Sequence, residues 1–87
     1  MNWAFADPSP AIDDWIRRED PSAELRDRAL GRLLDLTDDP LPAWSVELHP
    51  GRWLADLCED PLICAMYGLD FDEMLIYLKT IDHIEDD

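Results

Sequence analysis

Few side chains in this 87-residue chain have the chemistry of a catalytic or metal centre: two histidines, two cysteines and 21 carboxylates. His49 lies in Leu48-His49-Pro50, and His83 stands beside Asp82 and close to Glu85. Neither is spaced against a serine, cysteine or aspartate in a way that signals a nucleophilic triad. The spacing of Cys58 and Cys64 matches neither a zinc pair nor a redox pair. It is read as two small buried hydrophobes, with a local disulfide or a metal role as the alternatives. Asp70-Phe71-Asp72-Glu73 opens like a calcium loop. The sixth position of that loop would be Leu75 and the twelfth Ile81, where glycine and glutamate are required, so the motif fails. With only three glycines there is no phosphate loop and no dinucleotide fingerprint. A chain this short also has little room for a substrate cleft. These observations imply a protein that is not an enzyme, with no cofactor and no dedicated metal.

Charge is the remaining chemical signal. The 21 acids face seven bases, so the net charge is −14. Five of the bases are arginines within the first 32 residues (Arg17, Arg18, Arg26, Arg28, Arg32), able to pair with Asp13, Asp14, Glu24 and Asp27 at helical spacing. Beyond them only Arg52 and Lys79 remain against a long run of acids. Such a chain does not attract nucleic acid or anionic membrane by its overall field. A row of carboxylates can instead imitate phosphates and occupy a basic groove. The candidate partner-binding acids are Asp56, Glu59, Asp60, Asp70, Asp72, Glu73, Asp82, Glu85, Asp86 and Asp87, with Trp44 and Trp3 as contact anchors.

The expected function is therefore a small acidic protein that inhibits or neutralises a basic, nucleic-acid-handling protein. Bacterial or phage anti-restriction, anti-CRISPR and immunity proteins share that size and charge, although no family motif is present. The alternative is a structural adaptor that docks through an apolar patch near Trp3 and Trp44, its charge serving solubility. No basic, apolar leader and no membrane-length apolar run is visible, which points to the cytoplasm.

The elements that would position these residues are read as helices. Asp-Pro occurs at Asp7-Pro8, Asp20-Pro21, Asp39-Pro40 and Asp60-Pro61, and the three later copies read as an N-cap followed by a proline in the first turn. Ile12, Trp15 and Ile16 predict a first helix over Pro10–Arg18, capped by Ser9. Leu25, Ala29, Leu33 and Leu36 predict a second over Pro21–Leu36, in which Gly31 would mark a close helix contact. Pro40–His49 fits a short helix or a strand, and without an evident partner strand the helix is preferred. Pro50–Glu59, Pro61–Tyr67 (closed by Gly68) and a last helix opened by Asp70 and Glu73 complete the reading. The prediction is a compact all-α domain, residues 1–87, of five or six short helices, with Trp15 and Trp53 in its core. Gly31–Leu41 and Gly51–Leu62 echo one another, which is read as recurrent helix-end chemistry.

Overall fold

In the computed structural model, which describes residues 3–84, the chain is α/β. The order is β1 (Ala4–Phe5), α1 (Ser9–Glu19), α2 (Ala23–Leu34), a 3-10 turn (Asp35–Thr37), β2 (Ser45–His49), β3 (Arg52–Glu59), β4 (Leu62–Asp70) and β5 (Leu75–His83). The strands form one sheet in the order β1-β5-β4-β3-β2. β2 to β5 run antiparallel as a meander, and β1 adds in parallel to β5. The two helices lie between β1 and β2 in sequence and cover one face of the sheet, α1 against β5 and α2 against β3.

The helical half agrees with the pattern of the sequence. α1 buries Trp15 completely. α2 buries Ala29 and Leu33, and Leu36 follows in the 3-10 turn. The punctuation differs in detail. Asp20 does not start α2; it closes α1 in the left-handed conformation, and Ser22 caps α2 by accepting from the Leu25 N–H at 3.1 Å. Pro8, not Ser9, precedes α1, and no side chain caps it. A Cβ built on Gly31 meets no atom within 4 Å, so that glycine marks no close contact.

From Ser45 onward the all-α expectation is overturned: every regular element there is a strand. Two bulges explain why the pattern looked helical. Between Asp56 and Cys58 the β3–β4 register slips, so that Leu57 and Cys58 both join the core beside Ala55. Between Met66 and Tyr67 the β4–β5 register slips around Lys79, so that Ile76, Leu78 and Ile81 all point inward. Each bulge inserts a residue into strict alternation and yields the three- and four-residue spacings of a helix. β4 is the central strand and carries an unbroken apolar run, which does not by itself separate strand from helix.

The cap signals are real but serve turns. Oδ1 of Asp70 accepts the N–H groups of Asp72 and Glu73 at 3.0 and 3.1 Å, which shapes the β4–β5 turn. Asp60 and Pro61 turn β3 into β4. Gly68 lies within β4 rather than capping a helix. The echo between Gly31–Leu41 and Gly51–Leu62 has no structural counterpart, since the first copy begins in a helix and the second in a turn leading to a strand. No helix among the described residues is long and apolar enough to cross a membrane.

Candidate functional site

The sheet has two unlike faces. Ala55, Leu57, Ile63, Ala65, Tyr67, Ile76, Leu78 and Ile81 point toward the helices and form the core. The opposite face is lined by cross-strand neighbours: Val46 beside Leu54, Leu54 beside Met66, and Met66 beside Thr80. Among the described residues no helix covers this face.

On one side of that apolar row lie Asp56, Cys64 and Asp82, register partners across β3, β4 and β5. The Cys64 thiol donates to Oδ1 of Asp56 at 3.3 Å. Burial first, then this hydrogen bond and the carboxylates of Asp56 and Asp82, push the thiol up to about 12. The thiolate is the nucleophile, so Cys64 is chemically quiet. Cys58 points the other way, into the core beneath α2, where Nη1 of Arg28 lies 3.9 Å from its sulfur. Both cysteines are buried and free, as their reading as small hydrophobes requires. Facing opposite sides of the sheet, they cannot form the alternative local disulfide without a rearranged backbone.

On the other side of the apolar row lies a different group. Arg52 is the register partner of His49, and Tyr77 is the partner of Gly68. Between them the backbone comes close: a Cβ on Gly68 would lie 3.3 Å from the carbonyl oxygen of Gly51. The Lys79 ammonium stands over the Tyr77 ring at 5.8 Å. Arg52 and Lys79, the two bases beyond residue 32, thus share the uncovered face with an imidazole and a phenol. Sequence reasoning counted both bases but did not group them. The strand register that unites them was hidden once these segments were read as helices.

The acids proposed as one docking row do not form one. Glu59 ends β3 and Asp60 follows it in the β3–β4 turn, whereas Asp70 ends β4 and Asp72 and Glu73 follow it in the β4–β5 turn. The whole of the nine-residue β4 separates these turns, a distance on the order of 27 Å. Asp56 and Asp82 lie on the uncovered face, where Asp82 is 3.7 Å from Arg18. Glu85, Asp86 and Asp87 lie outside the described residues. Other acids stud the helical layer: Asp14 pairs with both Arg17 and Arg18, and Glu24 with Arg28. The hydrogen bond from Arg18, followed by the nearby arginine charges, holds the Asp14 carboxyl below its ordinary range despite some opposing desolvation. The negative charge is spread over both layers and both ends of the sheet.

The tryptophan anchors are also engaged within the fold. Trp44 lies under the Arg32 guanidinium at 4.2 Å. Trp3 meets Phe71 edge-on at 5.6 Å, and its backbone N–H donates to the Thr37 carbonyl. Trp53 stacks on Tyr67, whose ring is fully buried. A cleft of about 600 Å³ opens between α2 and the end of β3, lined in part by Arg28, Arg32, Cys58 and Glu59. The chain therefore does have room for a cleft, and small size is no argument against enzymatic activity.

Comparison with solved structures decides the fold. The isolated E. coli RelE toxin superposes with a TM-score of 0.73 at 12% identity, covering 100% of this chain and 88% of the toxin. The chain has the RelE fold. A double arginine-to-alanine mutant of E. coli RelE in the free state gives 0.68 at 12% identity, covering 97% of this chain and 84% of that one. The intact E. coli RelBE toxin–antitoxin complex gives 0.70 at 12% identity, covering 99% of this chain and 100% of the matched one. No family model and no curated protein sequence matches the chain.

This fold replaces the expected functions. A nucleic-acid mimic or anti-CRISPR-like inhibitor needs its carboxylates gathered on one face, and here they are dispersed on a scaffold shared with a toxin. The similar structures likewise give no support to a basic nucleic-acid-binding protein as the partner, since one of them is a toxin–antitoxin complex. The adaptor reading loses its patch because Trp3 and Trp44 pack on Phe71 and Arg32 at separate places.

Proposed function

We propose that this chain is the toxin-type member of a toxin–antitoxin pair and works through the uncovered face of its sheet. The observation that carries the reading is the superposition of the whole chain on the RelE toxin with a TM-score of 0.73. The antitoxin is a second chain that binds the fold and silences it, as the pairing of RelE with RelB suggests.

The working groups on that face are His49, Arg52, Tyr77 and Lys79. Arg52 and Lys79 supply positive charge at close range, and Tyr77 and His49 can exchange protons with a bound group. With a net charge of −14, long-range attraction does not bring an anionic target to this face. Recognition relies on short-range contacts, which salt screens less than it screens long-range attraction. Acting inside the cell that makes it, such a toxin is cytoplasmic.

The test is induced expression in a bacterial host, with and without the product of the neighbouring gene. Growth arrest from this chain alone, relieved by co-expression, supports the reading. Unimpaired growth at high expression of folded protein contradicts it.

A further inference from the structure

Among the polar contacts that join the helices to the sheet, the one at the end of β5 runs through an imidazole. Trp15 on α1 is fully buried, and its Nε1–H donates to Nε2 of His83 at the end of β5, 2.8 Å away. An imidazole that accepts at Nε2 carries its proton on Nδ1 when neutral. That nitrogen faces Oε1 of Glu19 at 3.7 Å, too long for a hydrogen bond.

We infer that the Trp15–His83 pair is a pH-sensitive latch, closed when the imidazole is neutral and released when it gains a second proton. The doubly protonated ring has no lone pair at Nε2, so its N–H would point at the indole N–H. The buried indole has no other acceptor among the described residues, and an unmade buried hydrogen bond is costly. The geometry thus sets two donors against each other across the junction between α1 and β5.

The surrounding charges do not cancel this conflict. On α1, Glu19 and Arg18 face the ring region, and Arg18 is itself held by Asp14 at 2.7 Å and lies 3.6 Å from Glu19. On β5, Asp82 lies 3.7 Å from Arg18. On β4, the register partner of His83 is Ile63, and the neighbouring Cys64 thiol is engaged with Asp56. Glu19 attracts the protonated ring through Nδ1 but cannot reach Nε2, and it is one-third exposed. A second tie, from Arg18 to the Ile81 carbonyl at 2.8 Å, does not change its protonation over this range and keeps α1 tethered. Release therefore loosens the Trp15 end of the interface without unfolding the sheet.

The latch is independent of the toxin reading and needs no ligand to test. Hydrogen exchange at the Trp15 indole, followed by nuclear magnetic resonance, should lose about tenfold or more of its protection between about pH 8 and about pH 5. At the upper pH the His83 nitrogen shifts should report the Nδ1-protonated tautomer. His83→Gln keeps an amide acceptor and removes the titration, so its protection should stay level. Glu19→Gln, which retains His83 but removes the carboxylate that attracts the protonated ring, should show the same loss displaced to lower pH and serves if His83→Gln does not fold; a loss displaced to higher pH would count against the latch. Protection that is constant in the wild type, an equal loss in His83→Gln, or an Nε2-protonated ring at high pH would each overturn the latch.

Discussion

The hydroxyl of Tyr67, at the centre of the sheet, donates to the carbonyl oxygen of Pro40 at 2.6 Å. This bond ties β4 to the loop that carries the chain from the helices to β2. Both residues are buried, and the bond spans 27 positions of sequence. Removing the hydroxyl leaves a buried carbonyl unpartnered. Tyr67→Phe should therefore destabilise the fold by about 1–3 kcal/mol in denaturant titration, with the slope of the transition unchanged.

Cys64 gives a prediction with a definite sign. The fold keeps its thiol protonated up to about 12, against an ordinary value of 9.0. Above the ordinary value the unfolded chain gives up that proton and the folded chain does not. Stability contributed by Cys64 is thus intact at neutral pH and is lost between about 9 and about 12. Burial also raises Tyr67, which acts in the same direction. Alkaline melting curves should fall over this range, and Cys64→Ala should remove part of the fall. At pH 8 a thiol alkylating reagent should modify Cys64 only as fast as the protein opens.

Gly51 turns β2 into β3 with φ of 82°, and a Cβ there would meet no atom within 4 Å. The substitution cost is therefore backbone strain alone. Gly51→Ala should cost about 1 kcal/mol by thermal or denaturant melting. Gly68 is the contrasting case, because a Cβ there presses on the Gly51 carbonyl at 3.3 Å. Gly68→Ala should shift the turn and perturb the resonances of Arg52 and His49.

The Asp70 carboxylate organises the turn before β5 through two backbone N–H groups. Asp70→Ala should lower stability by about 1 kcal/mol, while Asp70→Asn should retain most of it. Comparing these variants separates the turn role of Asp70 from any role in binding.

The helical half was legible because Trp15, Ala29, Leu33 and Leu36 repeat with a helical period and bury on one side. The sheet was not, and the reason lies in particular residues. The extra residues at the bulges near Leu57 and Lys79 break the two-residue alternation that marks a half-buried strand. β4, flanked by strands on both sides, shows no alternation to break. Asp70 presents the same carboxylate-to-amide chemistry in a turn as at a helix start, so the cap signal was read correctly and placed on the wrong element. The candidate site depends on register: Arg52 and Tyr77 become neighbours of Gly68 only once β3, β4 and β5 are side by side. Charge counting located the two isolated bases but not the surface they share.

The most direct test of the account is the growth of cells expressing this chain with the uncovered face altered. The wild type should arrest growth. A variant carrying His49→Ala, Arg52→Ala, Tyr77→Phe and Lys79→Ala, folded and expressed equally, should not. Arg17→Ala on the helical layer, where the side chain pairs with Asp14 at 3.1 Å, should remain toxic. Normal growth with the wild type, or undiminished arrest with the four-site variant, would contradict the assignment of a toxin acting through this face.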